Sequence, residues 1–330
     1  METVGIVGAG AWGTALAQVA ASGGRRVTLW AFEAEVVAGI ARDRINAAFL
    51  PDVALHPAIA PSTDLAAAAA CAVVLIVTPA QHVRATLRQL APHLAPGKPV
   101  VMCAKGIERG TLALMTDVLA KEVPHARAAV LSGPGFARDV ARGLPTATTI
   151  ACADDALGRA LVATLGQATF RPYLTDDLIG AEIGGAVKNV IAIACGIAEG
   201  RGLGDGARAA LITRGFAELS RLGRAMGARQ DTLNGLCGLG DLVLTCASQT
   251  SRNTSLGAAL ASGRSATAVL AERTSVAEGA ASAPAVMALA ARHGIDMPIC
   301  AAVDAVVDGR IDVDAAIEAL LARPFREEGA

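Results

Sequence analysis

The 330-residue sequence predicts an α/β Rossmann domain, with a doubly wound and mostly parallel sheet, followed by an all-α C-terminal domain. Three observations predict it. A glycine-rich turn at G-x-G-x-x-G spacing joins the first strand-like run to the first helix-like run. Strand-like and helix-like runs then alternate, which is the pattern of βαβ units. From about Thr175 the strand-like runs cease and helical periods continue, dividing the chain into residues 1–182 and 183–330. A chain of this length exceeds a comfortable single core, so two domains are expected.

The organising stretch is Val4-Gly5-Ile6-Val7-Gly8-Ala9-Gly10-Ala11-Trp12-Gly13, with an alanine-rich helix opening directly after it. Gly8 lets the chain turn sharply, Gly10 lets the backbone approach a pyrophosphate, and Gly13 lets the helix pack close to the sheet. The helix N-terminus then presents unpaired N–H groups to phosphate. An ordinary strand–helix turn can carry the same glycines, so the residues downstream must decide between the two. A second strand over 26–30 leads to Phe32 and Glu33, and Glu33 lies 20 residues beyond Gly13. An acid at that offset meets the adenosine ribose hydroxyls. No basic residue stands between Trp30 and Ile40 to receive a 2′-phosphate, so the balance is towards NAD(H) over NADP(H). Further strands are expected at 73–77, 100–104, 129–131 and 148–152, with helices from 81 and over 156–165.

Composition removes several classes of partner. Net charge is −1, with 29 basic and 30 acidic residues dispersed, so no nucleic acid or anionic membrane is indicated. The run 65–77 is too short and too alanine-rich to span a bilayer, so no membrane insertion is expected. Seven cysteines form no C-x-x-C and no metal-like pairing with histidine. They read as buried thiols in a reducing cytoplasm, with no metal site. Residues 1–3 lead into a strand without a basic segment or cleavage signal, which agrees with a cytoplasmic location. The cations are 25 arginines and only four lysines, at 98, 105, 121 and 188. Lysine can give up its proton where arginine cannot, so these four are candidates for proton chemistry.

Lys188 and Asn189 interrupt a run over 182–195 that is apolar on nearly every face, hence a buried helix. A buried ammonium must pair, deprotonate or face a wet cleft. Lysines usually snorkel to the surface, but an adjacent asparagine in so apolar a helix favours function. Lys105 follows a strand at the sheet edge where ligands bind, although a plain loop lysine would look the same. Gly133 and Gly135, in Ser132-Gly133-Pro134-Gly135, leave room for a ligand near the backbone or form a simple turn. Gly238-Leu239-Gly240-Asp241 reads as a tight loop carrying one acid. Ser251, Arg252 and Asn253 precede a helix expected over 256–261, where hydroxyl, guanidinium and helix N–H groups suit a phosphate. Helix capping is the plainer reading of that serine and asparagine. Together these parts suggest hydride transfer to a ketone, with an ammonium stabilising and protonating the oxygen.

GAGAWGTALA at 8–17, NAAFLP at 46–51, AKGIE at 104–108, SGPGFA at 132–137, GGAVKNVIAI at 184–193, RAALITRG at 208–215, GLGDLVLTC at 238–246 and SRN at 251–253 resemble the NAD(P)-dependent glycerol-3-phosphate dehydrogenase family, in order and separation. The resemblance implies a homodimer that interconverts dihydroxyacetone phosphate and sn-glycerol 3-phosphate for phospholipid synthesis. It places Lys188 as proton donor and acceptor and Lys105 against substrate and nicotinamide. Asp241, Asn189 and Thr245 fall around the reacting carbinol. Ser251, Arg252 and Asn253 fall at the substrate phosphate. Ala11, Trp12, Phe32, Ala137, Arg252, Val276 and Glu278 fall near the cofactor. Phe32-Glu33 looks like the NAD-using members. A β-hydroxyacid or phosphogluconate-type dehydrogenase shares the architecture and the lysine but would lack the S-R-N cradle. A non-catalytic dinucleotide sensor would need no proton donor at Lys188.

Overall fold

The computed structural model describes residues 1–272 and 277–325. The N-terminal half runs β1 (Thr3–Val7), α1 (Ala11–Ser22), β2 (Arg26–Trp30), α2 (Ala34–Asp43), β3 (Ile45–Asn46), β4 (Leu50–Ala54), β5 (Ile59–Ser62), α3 (Leu65–Ala69) and β6 (Val73–Ile76). It continues with α4 (Val83–Leu90), β7 (Pro99–Met102), α5 (Met115–Glu122), β8 (Arg127–Ser132), α6 (Ala137–Ala141), β9 (Thr146–Ala151), α7 (Asp155–Leu165) and β10 (Phe170–Thr175). The remainder is helical: α8 (Leu178–Gly200), α9 (Gly204–Ala225), α10 (Gln230–Asn234), α11 (Asp241–Cys246), α12 (Arg252–Leu260), α13 (Ala266–Ala271), α14 (Glu278–Arg292), α15 (Pro298–Val307) and α16 (Val313–Leu321).

Eight strands form one sheet in the order β10-β9-β8-β7-β6-β1-β2-β5. All neighbouring pairs are parallel except β8 with β9, so the expected mostly parallel sheet is present with one reversal. Its strands are apolar on both faces because helices cover both. Val73 and Leu75 join the core shared with α1 and α7, while Val74 and Ile76 join the core beneath α4 and α5. That alternation is the period of two of a pleated strand. Strands β1 and β6 are adjacent, yet the chain leaves β1 for β2 on one side and returns to β6 on the other. This reversal opens the crevice beyond their carboxyl ends.

The second core is built on α8, whose residues from Gly180 to Ala198 are all buried. It starts at Leu178 under a cap, Asp177 Oδ1 accepting from Gly180 N at 2.8 Å, so the expected division at 182/183 falls inside its first turns. Alanine and glycine on every face let neighbours come close. A Cβ on Gly196 would lie 2.0 Å from Thr254 O, and one on Gly257 would lie 2.0 Å from Ile193 O, so α8 and α12 pack backbone to backbone. By length and hydropathy α8 is the one described helix able to cross a membrane, but 89% of that window is enclosed by the fold. Each fully buried Ile along it contributes about 1.5–3 kcal/mol relative to exposure. All seven cysteines are free and buried.

Candidate active site

The three glycines of the first turn serve three needs. Gly8 holds φ +118°, and a Cβ there would press on the backbone of Val77 and Thr78 at 3.0 Å. A Cβ on Gly13 would sit 1.8 Å from Gly8 O, so only glycine lets α1 pack this near the turn. Gly10 is different, because a Cβ would meet nothing within 4 Å. Its missing side chain leaves the crevice open rather than the core tight. Gly10 caps α1 without any side-chain acceptor, leaving the N–H groups that begin at Ala11 and Trp12 facing the crevice. Trp12 Nε1 is buried without a partner among the described residues. An open cradle of N–H groups at the head of a 12-residue helix fits a pyrophosphate. At the end of β2, Phe32 is 80% exposed and Glu33 begins α2 with its side chain capping nothing, so aromatic face and carboxylate are both available to a nucleoside.

The chemical centre lies at the same carboxyl edge of the sheet. Lys188, 6% exposed on α8, donates to Asp241 Oδ1 at 2.5 Å and to Thr245 Oγ1 at 2.7 Å. Lys105, just past β7, donates to the other oxygen, Asp241 Oδ2, at 2.6 Å and to Gly133 O at 2.9 Å. One carboxylate therefore bridges two ammoniums. Burial lowers the Lys188 pKa to about 8, Asp241 opposing and Lys105 adding to the shift. The expected loop at 238–241 is instead a π turn over Leu236–Gly240 that feeds straight into α11. Its glycines serve packing, since a Cβ on Gly238 would lie 1.9 Å from Leu233 O. Wide turns of this kind recur at functional sites because they re-aim one residue, here Asp241.

Asn189 and Asn253 form a ladder of amides. Asn189 Nδ2 donates to Gly185 O at 3.2 Å and Lys105 O at 3.4 Å, and its Oδ1 accepts from Asn253 Nδ2 at 2.9 Å. Asn253 Oδ1 in turn accepts from Gly279 N at 2.9 Å. These side chains thus tie α8, α12 and α14 to the Lys105 loop. The helix expected from 256 begins four residues earlier, at Arg252, because Ser251 Oγ accepts from Thr254 N at 3.2 Å and caps it. Arg252 is exposed at the first position of this nine-residue helix. Glu278 opens α14 and its Oε1 accepts from Ala80 N at 3.4 Å, joining the helical domain to the loop after β6. Burial raises the Glu278 carboxyl, with the Ala80 N–H and Arg252 opposing.

Packing requires or favours glycine at two further positions named in the sequence. Gly133 sits at φ +152° and a Cβ would lie 2.9 Å from Thr148 Cα, so packing on β9 requires the glycine, and its carbonyl accepts from Lys105. A Cβ on Gly135 would meet Val140, Thr146 and Trp12 side chains at 3.2–3.4 Å, again a packing constraint. Ala137 opens α6, which packs on α1. Val276 lies outside the described residues. Glu182 carries no signal in the sequence beyond its place at the start of an apolar run. It is 4% exposed, accepts from Thr116 N at 2.9 Å and pairs with Thr116 Oγ1 at 2.6 Å, so it caps α5 across the domain junction. Burial pushes its pKa up to about 7, against the bonds from Thr116. Among the described residues no cluster of histidine, cysteine or acid is arranged to hold a metal.

A phosphate-cradling helix at the switch point of a Rossmann sheet, beside a buried lysine held by an acid, defines a nicotinamide-dependent dehydrogenase of the lysine-centred kind. Residues 3–158 match the N-terminus, and residues 177–318 the C-terminus, of NAD-dependent glycerol-3-phosphate dehydrogenase. The chain belongs to that family. It is 61% identical to glycerol-3-phosphate dehydrogenase (NAD(P)+) of Parvibaculum lavamentivorans, over 98% of both chains. It is 58% identical to that of Maricaulis maris, over 100% of this chain and 99% of the relative. The crystal structure of glycerol-3-phosphate dehydrogenase from Coxiella burnetii superimposes with a TM-score of 0.94 at 37% identity, over 98% of this chain and 99% of that one.

Proposed function

We propose that the protein interconverts dihydroxyacetone phosphate and sn-glycerol 3-phosphate, with Lys188 as the group that gives and takes the proton. The observation that carries this reading is the Lys188–Asp241–Lys105 centre at the sheet's carboxyl edge. A bound reduced nicotinamide supplies a hydride to the ketone carbon. Negative charge then grows on the ketone oxygen, where Lys188 Nζ stabilises it and delivers the proton that makes the hydroxyl. In the oxidative direction the same nitrogen takes that proton back, which a pKa near 8 permits at neutral pH. Asp241 keeps both ammoniums oriented, and Lys105 adds a second positive charge beside the reacting oxygen. Asn189 and Thr245 hold Lys105 and Lys188 in register.

The substrate phosphate is assigned to the start of α12, where Arg252 and the N–H groups of the first turn suit a dianion. Ser251 and Asn253 support this site chiefly as its frame, since their side chains already bond to Thr254, Asn189 and Gly279. NAD(H) is the proposed cofactor, because Glu33 would accept bonds from ribose hydroxyls and repel a 2′-phosphate. We further propose a homodimer in a reducing cytoplasm. A groove of about 630 Å³ between α9, α15 and α16, lined by Leu203, Leu211, Val303, Ile317 and Leu320, offers apolar surface for a second copy. The test is loss of nicotinamide absorbance from NADH and NADPH in parallel, with dihydroxyacetone phosphate and with unphosphorylated dihydroxyacetone. Oxidation of NADH only with the phosphorylated ketone is expected. Equal turnover of both ketones would overturn the phosphate assignment, and faster NADPH oxidation would overturn the cofactor assignment.

A further inference from the structure

The stretch at 46–51 has no part in that reaction, yet Asn46 is 1% exposed and fully bonded. Its Nδ2 donates to Ala9 O and to Thr14 Oγ1, each at 2.8 Å, and its Oδ1 accepts from Phe49 N at 3.3 Å. The β3–β4 hairpin is thereby pinned to the glycine turn across 37 residues of sequence. Ala9 C=O and Gly10 N–H belong to one planar trans peptide and point in opposite directions. With the carbonyl held on Asn46, the Gly10 N–H is turned the other way. There it meets no acceptor among the described residues, beside the space that a Cβ on Gly10 would leave empty. The Gly8 N–H, by contrast, is already bonded to Trp30 O at 3.1 Å. Resting on the reading of this crevice as the cofactor site, we infer that Asn46 is a positioning residue for the cofactor pyrophosphate. It aims the Gly10 N–H by holding the Ala9 carbonyl.

Thr14 Oγ1 also donates to Ala9 O, at the longer distance of 3.3 Å. Three proteins decide it: the wild type, Asn46→Ala and Thr14→Val, the last removing that longer bond while keeping the 2.8 Å bond from Asn46 to Ala9 O. NADH binding is followed by its fluorescence, and ADP-ribose, which has the pyrophosphate and lacks the nicotinamide, is measured by displacement. Asn46→Ala is expected to weaken NADH and ADP-ribose by the same factor, about ten-fold for one bond to a charged group. Turnover at saturating NADH and the KM for dihydroxyacetone phosphate stay at wild-type values. Thr14→Val, which loses only the longer bond on that carbonyl, is expected to weaken both affinities by a smaller factor than Asn46→Ala. Unchanged NADH binding in Asn46→Ala overturns the inference. So does a loss confined to NADH, which would place the effect at the nicotinamide end, or an equal or larger loss in Thr14→Val, which would show that Asn46 is not the residue that sets the Ala9 carbonyl. Asn46→Ser is read by the same criteria where Asn46→Ala does not fold. Failure of the wild type to bind NADH overturns the dehydrogenase reading and this inference with it.

Discussion

Asp241→Asn is the most informative change at the centre. It removes the one carboxylate charge that Lys188 and Lys105 share while keeping size and an accepting oxygen. Lys188 loses a charge-assisted bond of about 1.5–3 kcal/mol. At about 1.4 kcal/mol per pKa unit, its pKa falls by about 1–2 units, from about 8 to about 6–7. The shift is downward because burial and Lys105 both depress this pKa, while Asp241 is the main influence that raises it. On the proposed role of Lys188, ketone reduction needs the protonated lysine, so its rate falls as pH rises through that pKa. The assay is turnover of dihydroxyacetone phosphate at saturating NADH from about pH 5.5 to about 9.5, with melting temperature recorded at each pH. In the variant the descending limb moves to lower pH by about 1–2 units, and glycerol 3-phosphate oxidation becomes less dependent on alkaline pH. A limb that stays near pH 8, or moves upward, would refute Lys188 as the titrating group.

Other variants test the remaining contacts. Arg252→Ala should raise the KM for dihydroxyacetone phosphate by on the order of 2–4 kcal/mol while NADH still binds; an unchanged KM removes Arg252 from the phosphate site. Gly10→Ala should keep the melting temperature and lose NADH affinity, whereas Gly13→Ala, whose Cβ would lie 1.8 Å from Gly8 O, should lower the melting temperature first; the reverse ranking contradicts the roles given to the two glycines. Glu182 carries a raised pKa, about 7 folded against 4.5 as its ordinary value, so folding favours its protonated form. Its stabilising contribution is full below about pH 4.5 and is lost as pH rises through about 7, by at most about 3 kcal/mol. Glu182→Gln should therefore gain stability relative to wild type between pH 5 and pH 8, read as melting temperatures, and a constant difference over that window would show that Glu182 does not titrate there.

Much of the N-terminal half was legible because its signals are local. Glycine spacing, the acid 20 residues on, and alternating apolar runs are each contained in a short window. Lys188 was legible for a related reason, as a charge inside an apolar helical run. What the sequence hid is pairing between distant residues. Asp241 lies 53 residues from Lys188 and 136 from Lys105, and no periodicity announces that one carboxylate serves both. The bonds from Thr116 to Glu182 and from Asn46 to Ala9 are of the same kind. Glycine is ambiguous for a physical reason, because it marks a loop, a ligand approach or a close helix contact with one letter. At 133, 135 and 238 an added Cβ would meet neighbouring protein, whereas at Gly10 it would meet open space. The reversal of β9 was invisible too, since an apolar strand reads the same in either direction.

Burial explains why this centre is asymmetric. An ammonium inside α8 with no counter-charge would lose its proton or destabilise the fold, so Lys188 requires Asp241. Yet Asp241 also holds Lys105, and two ammoniums on one carboxylate leave a net positive charge in a dry pocket. Burial lowers the Lys188 pKa and Lys105 adds to that shift, while Asp241 opposes both. On the proposed mechanism, a substrate oxygen that becomes negative during hydride transfer restores the balance, so the ammonium is stabilised most when the charge on oxygen is greatest. An arginine at 188 would satisfy Asp241 equally well but would keep its proton throughout. The physical requirement is a cation that the fold can bury only with help and that can still be deprotonated, and lysine alone among the basic residues of high pKa meets it.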